Sequence, residues 1–246
     1  MASLTPVLEY MARKMERRAR IEASDRMALL NLPHRLQVLE PSAYIVREGA
    51  PTERSCVIVS GIAFRHKVTQ EGGRQIVSIH IPGDFVDLEA ALLNVSDHNV
   101  QALTRMEVAF IPRGALQELI LAHPRIGMAM WIDTLIDGSI FREWVMNVGR
   151  RDARTRIAHL LCEFARRLEV AGLGEALHYE LPMTQEQLAD AVGLTPVHVN
   201  RVLKGLTHDG LIVRNRRMVQ IPDWEALREV AGFTETYLHL DQAQAA

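Results

Sequence analysis

The sequence predicts an α+β protein in which an antiparallel β-roll is joined by a long helix to a compact C-terminal unit of helices and one short hairpin. Three observations carry this. Residues 36 to 111 hold short β-branched runs set off by glycine turns. From Ala115 to Gly149 the pattern is helical and apolar on more than one face. After Asp152, two capped helices separated by a glycine precede a basic hairpin.

The expected segments are N-terminal helices over 1–35, the roll over 36–114, the long-helix region over 115–149, the C-terminal unit over 150–232 and a tail over 233–246. Within the first, Ser24 reads as the cap of an amphipathic helix that runs through Leu30 and ends before Pro33. The roll is read from Tyr44-Ile45-Val46, Cys56-Val57-Ile58-Val59, Ile62-Ala63-Phe64 and Ile76 to Ile81, punctuated by Gly49, Gly61, Gly72-Gly73 and Pro82-Gly83. Several short strands with regular turns imply a roll or sandwich.

Pro124 opens the long helix at its first turn. Met128, Ile132, Ile136, Ile140 and Trp144 form one apolar stripe; Trp131, Leu135, Gly138, Val145 and Val148 form a second. A helix with a single partner needs only one stripe. The second is therefore read as a dimer interface, with Gly138 allowing close backbone approach. The alternative is a helix buried inside one domain. Gly149-Arg150-Arg151-Asp152 reads as a hinge, with Asp152 capping a helix over 153–168 whose inner face is Ile157, Leu160, Leu161, Phe164 and Leu168. The Gln/Ala run 242–246 reads as frayed.

The chain has 246 residues and a net charge of −2. That balance does not advertise a polyanion partner, but residues 150–220 hold 11 Lys or Arg against 8 Asp or Glu, so the basic excess is local. Two cysteines, Cys56 and Cys162, exclude a disulfide framework and a Cys-rich zinc or iron–sulfur site. Neither a signal peptide nor an apolar run of the ~18 residues needed for a span is read, so a cytoplasmic protein with no membrane partner is expected.

The richest stretch is Met183 to Lys204. Thr184 caps a helix and Gln187 completes its capping box. Leu188, Ala189 and Val192 face inward, and Gly193 supplies the left-handed terminus. Thr195 caps a second helix with Pro196 at its first position. Its inward residues are Val199, Val202, Leu203 and Leu206. Its outward residues are Val197, His198, Asn200, Arg201 and Lys204. This is the pattern of a helix-turn-helix, whose second helix fits a DNA major groove. Arg201 is the first choice for a base contact, followed by Asn200 and His198, with Val197 suited to a thymine methyl. Thr184, Thr195 and Lys204 are assigned to phosphate. After Asp209-Gly210, the strands Leu211-Ile212-Val213 and Met218 to Ile221 flank a basic turn. Its Arg214, Arg216 and Arg217 read as a phosphate-binding wing. Asp223 starts a closing amphipathic helix through Trp224, Leu227, Val230 and Ala231. A helical hairpin with a merely polar outer face is the bland alternative.

Together, the phrase from Gly72 to Val86, the phrase from Gly149 to Ala158, and residues 183–221 resemble the Crp/Fnr superfamily of bacterial transcription regulators. The resemblance implies a cyclic-nucleotide-binding-like roll, a dimerisation helix and a winged helix-turn-helix. It implies homodimers on pseudo-palindromic sites with half-sites about one helical turn apart, and contact with RNA polymerase. Three departures stand out. Where cyclic-nucleotide-binding members carry a phosphate-holding Arg, this chain reads Ser96-Asp97-His98-Asn99, with no Lys or Arg between Asp84 and Arg105; tight cAMP binding is not expected. The N-terminal cysteine cluster of the iron–sulfur members is absent. Val197 stands where a Glu is usual in the recognition helix, beside a retained Arg201. No cofactor is expected and the effector is unknown. Haem held by His34, His66, His80 or His98 is the alternative within the family. A cupin-like enzyme on the roll is the alternative outside it, and lacks the His-x-His ligand spacing.

Overall fold

In the computed structural model, residues 6–175, 177–240 and 242 are described. Residues 243–246 of the Gln/Ala run, expected to fray, lie outside that set. The chain divides into two compact units: residues 1–66, 79–138 and 239–246, and residues 67–78 and 139–238.

The first unit opens with α1 (Glu9–Arg18) and α2 (Ala23–Leu30). Ser24 does not cap α2 as expected. Glu22 does, closing a capping box in which Asp25 Oδ2 accepts from the Glu22 amide at 2.9 Å. The strands follow as β1 (Arg35–Leu39), β2 (Tyr44–Val46), β3 (Arg54–Ser60), β4 (Ala63–Val68), β5 (Arg74–His80), β6 (Phe85–Val86), β7 (Asn99–Ala102) and β8 (Met106–Pro112). They form two four-stranded sheets, β1-β8-β3-β6 and β2-β7-β4-β5. Strand β8 is antiparallel to both its neighbours, with Phe110 opposite Arg35 on one side and Cys56 on the other. The β3–β4 turn needs glycine. Gly61 has φ +83°, and a Cβ there would stand 2.5 Å from Met106 Cβ.

Two apolar clusters hold this unit together. Ile58, Val86, Val100, Met106 and Val108 fill one, drawing on strands of both sheets. Met11, Met15, Leu29, Ile111, Leu116 and Ile126 fill the other, where helices cover the roll. Helix α3 (Arg113–Ala122) leads to α4 (Pro124–Arg150), which starts at Pro124 as expected. Asp133 of α4 is tied to α1 by Lys14 at 2.8 Å and Arg18 at 2.9 Å.

The inner stripe of α4 needs correction. Ile136, Ile140 and Trp144 are buried, but Met128 is half exposed, and Ile126, Ala129 and Met130 take its place. A spacing of four overshoots the 3.6-residue turn by about 40° per step, so five such positions cannot share one face. Of the second stripe, Trp131, Leu135 and Val145 are exposed, while Gly138 and Val148 are half-buried. No single helix among the described residues is long and apolar enough to cross a membrane.

The second unit contains α5 (Ala153–Val170), β9 (His178–Glu180), α6 (Gln185–Val192), α7 (Pro196–His208), β10 (Val213–Asn215), β11 (Met218–Gln220) and α8 (Trp224–Ala231), with the sheet ordered β10-β11-β9. Asp152 caps α5 by accepting from the Thr155 amide at 2.9 Å. Ile157, Leu160, Leu161, Phe164 and Leu168 are all buried. The expected tail from residue 233 starts too early. Phe233, Tyr237 and Leu238 are buried, and the Tyr237 hydroxyl donates to Glu163 at 2.8 Å. An aromatic-bearing segment just past the α8 terminus gains more by covering apolar surface than by fraying.

Candidate nucleic-acid interface

Helices α6 and α7 form where their caps direct. The Thr184 hydroxyl accepts from the Gln187 amide at 3.1 Å, while the Gln187 side chain accepts from the Thr184 amide at 2.9 Å. Gly193 ends α6 at φ +65°. Two residues on, Thr195 accepts from the His198 amide at 3.3 Å, with Pro196 at the first helical position. Leu188, Ala189, Val192, Val199, Leu203 and Leu206 are buried, and these fix the crossing of the two helices. Val202, expected inside, is only half-buried.

Other contacts that hold the pair are not visible in the local pattern. Arg156 of α5 donates to the Val192 carbonyl at 3.1 Å and to the Arg151 carbonyl at 2.8 Å. A guanidinium at a helix C-terminus also faces the negative end of its dipole. Arg154 pairs with Asp209 beyond the end of α7 at 2.6 Å, and Arg74 pairs with Asp190 of α6 at 2.7 Å. Arginines of a basic segment read as DNA ligands by default; only the fold assigns these three to positioning.

What remains outside is a short row. Val197 is 81% exposed, and Arg201 and Lys204 are exposed. These three lie four and three residues apart, one side of the helix. Among the described residues, neither Arg201 nor Lys204 has a protein partner. His198 and Asn200, also expected to face outward, are half-buried at the flanks of this row. Thr184 and Thr195 are exposed at helix starts. Each hydroxyl accepts a cap bond yet keeps its proton for an outside acceptor, and the helix N-terminus favours an anion there.

The wing is tighter than expected. Leu211 and Ile212 lie before the strand and are buried, so the hairpin is β10–β11 with Arg216-Arg217 as its two-residue loop. Arg216 has φ +55°, the left-handed first position that such turns require. Arg214 therefore lies in β10, opposite Val219, not at the tip. It is half-buried, and burial lowers its pKa. Arg216 and Arg217 remain at the tip, exposed.

The candidate haem ligands are scattered in environment. His34 is exposed, whereas His66, His80 and His98 are buried. The stretch between Asp84 and Arg105 lacks cations in sequence but not in space. Arg65 of β4 reaches within 3.5 Å of Glu89. Asp87, Glu89 and Asp97 outnumber it, so this part of the roll is electronegative.

With that geometry in hand, comparison with known proteins is informative. Residues 155–230 match the Crp-like helix-turn-helix domain, and residues 36–123 match the cyclic nucleotide-binding domain. The chain is 31% identical over 192 residues to the transcriptional activator protein FnrL of Cereibacter sphaeroides, covering 76% of this chain and 77% of the relative. It is 29% identical over 206 residues to the nitrogen fixation regulation protein FixK of Rhizobium meliloti, covering 81% and 89%. The structure of FixK2 from Bradyrhizobium japonicum superposes with a TM-score of 0.76 at 24% identity, covering 82% of this chain and all of that one.

Proposed function

Because this chain belongs to the Crp/Fnr family of DNA-binding transcription regulators, we propose that it acts as a homodimer that presents α7 to the major groove twice. The observation that carries this is the row Val197, Arg201 and Lys204: exposed, without an internal partner, and held rigidly by two capped helices. Arg201 is suited to a guanine edge, Val197 to a thymine methyl, and Asn200 and His198 to flanking bases. Thr184, Thr195, Lys204, Arg216 and Arg217 fit phosphate, with Arg214 a lesser contributor because it is half-buried. A valine beside the arginine removes a carboxylate acceptor, so the half-site should differ from one read by an acidic residue at that base pair.

The exposed side chains of Trp131, Leu135 and Val145 on α4 support the dimer, with Gly138 and Val148 alongside. Large apolar groups in a row on one helix favour cover. Segments 36–114, 115–149 and 150–232 then serve as effector roll, dimerisation region and DNA-binding unit, with residues 233–238 added to the last. RNA polymerase is the expected second partner, in the cytoplasm, and the effector is other than cAMP.

Genome-wide mapping of bound DNA, with sedimentation of the same protein, tests the proposal. We expect pseudo-palindromic sites, a dimer, and loss of both dimer and tight binding in Leu135→Glu. A monomeric wild type that binds its mapped site at full affinity would overturn the dimer reading.

A further inference from the structure

The roll carries a cluster of side chains that the DNA-binding reading does not use. Asp87, Glu89 and His98 each turn one ligand atom toward the others, all within 4.8 Å. His98 Nε2 lies 3.9 Å from Asp87 Oδ1, and His98 Nδ1 lies 3.7 Å from Glu89 Oε1. Ligands about 2.1 Å from a tetrahedral centre stand roughly 3.4 Å apart, so small side-chain rotations close this set.

A second observation points to a ligand. The Asp87 and His98 side chains are only 4% and 5% exposed. Asp87 Oδ1 and His98 Nε2 are buried without a hydrogen-bond partner. Two buried, unsatisfied polar atoms aimed at each other are costly unless something binds between them. The backbone also invests in this arrangement: Asp87 has φ +64°, an uncommon conformation that swings its carboxylate into the cluster.

The electrostatics fit a divalent cation. Asp87, Glu89 and Asp97 against the single guanidinium of Arg65 leave two negative charges around a neutral imidazole. Burial, reinforced by Glu89, pushes Asp87 up to about 6, while burial and Arg65 lower His98. Without a cation, the site disfavours the charged form of both groups. Asp97 Oδ1 holds His98 Nδ1 at 2.8 Å, the carboxylate–histidine pairing that fixes the ring and leaves Nε2 to a metal.

We propose that Asp87, Glu89 and His98 bind a divalent first-row transition ion, with Asp97 orienting the imidazole. One nitrogen and two carboxylate oxygens form a borderline-hard donor set suited to Zn²⁺ or Fe²⁺ and unsuited to Cu(I). Three protein ligands leave a coordination position open. The site stands independently of the DNA-binding reading, because its test reads metal alone.

The test is calorimetry of the metal-free full-length protein with Zn²⁺, backed by visible absorption with Co²⁺. The wild type should bind one ion per chain, with d–d bands of low-symmetry cobalt. Asp87→Asn keeps a residue at ease at positive φ, and His98→Gln keeps the bulk. Each should lose the site, weakening it by more than about tenfold, and Asp97→Asn should weaken it about tenfold. Glu89→Gln, at a partly exposed position, serves if either buried variant fails to fold. Wild type with no stoichiometric zinc binding overturns the proposal. So does unchanged affinity in the folded ligand variants, which would mark the zinc as held by exposed histidines.

Discussion

The outer row of α7 and the polar cluster around Glu163 belong to the same compact unit and treat charge in opposite ways. Arg201 and Lys204 stand in solvent, with no protein partner among the described residues. Glu163 is 1% exposed and engaged from several sides. Trp144 Nε1 donates to its carboxylate at 3.0 Å, the Tyr237 hydroxyl at 2.8 Å, and Arg167 stands 3.7 Å away. Beside it, Glu143 is bound to Arg151 at 2.6 Å and approaches His159 Nε2 at 3.3 Å. A solvated charge adds little to folding and stays available to a ligand from outside. A buried charge must be balanced within the chain, so its partners become structural. The contrast separates residues that bind from residues that hold the binding surface in shape.

The largest effect should come from the buried side. Trp144→Ala removes a large side chain that is 7% exposed and strips Glu163 of a donor. We expect about 3–5 kcal/mol less stability, measured by denaturant unfolding, with the folded fraction still recognising the same DNA sequence. A loss below about 1 kcal/mol would mean that the cluster relaxes freely. On the exposed side, Arg201→Ala should leave stability within about 0.5 kcal/mol and cost about 1–3 kcal/mol of specific DNA binding. Full specific affinity in that variant would break the assignment of α7's register in the groove.

The two regions also differ in pH response. Burial, aided by Arg151, holds His159 down to about 3. The nearby Glu143 does not reverse this, since Arg151 already engages its carboxylate. The unfolded chain takes up the His159 proton below about pH 6.5 while the folded protein does not. His159 therefore contributes stability above pH 6.5 that is lost as pH falls toward 3. Burial pushes Glu163 upward despite its donors. Its contribution runs the other way, present below the ordinary carboxylate range and lost as pH rises through the folded value. His159→Phe keeps the stacking on Tyr237 and removes only the first of these. Between pH 7 and pH 5, the wild type should lose about 2 kcal/mol more than this variant. Parallel stability curves would show that His159 is charged in the folded state.

The same contrast explains what could be read in the sequence. The α6–α7 pair is a local object: Thr184, Gln187, Gly193, Thr195 and Pro196 are caps and stops within a dozen residues, and each acts on its immediate neighbours. The strand-rich roll was legible for a similar reason, through β-branched runs between glycine turns. The Glu163 cluster was not, because it joins Trp144, Glu163 and Tyr237 across three separate segments. Arg65 beside Glu89 escaped notice in the same way, as did the positioning roles of Arg154 and Arg156. At the wing, composition suggested three arginines at a turn, but the turn holds two residues. Pairing register, which composition does not encode, moved Arg214 into the strand.

The wing tip yields the smallest effect and the sharpest test of whether an exposed charge is free to bind. Arg216 sits at φ +55°, where asparagine is better accommodated than most side chains. Arg216→Asn should therefore leave the fold intact or raise its stability by a few tenths of a kcal/mol. Its exposed guanidinium has no protein partner among the described residues to lose. If it faces phosphate, the variant should bind every DNA sequence more weakly by a similar factor. The slope of log affinity against log salt should then fall by about 0.9, the value of one phosphate contact. A loss confined to certain sequences would instead assign the wing tip to base reading, in the minor groove beside the half-site. An unchanged slope would make Arg216 ordinary solvated surface, leaving Arg217 as the wing's tip charge and α7 with the helix starts as the remaining phosphate-facing surface.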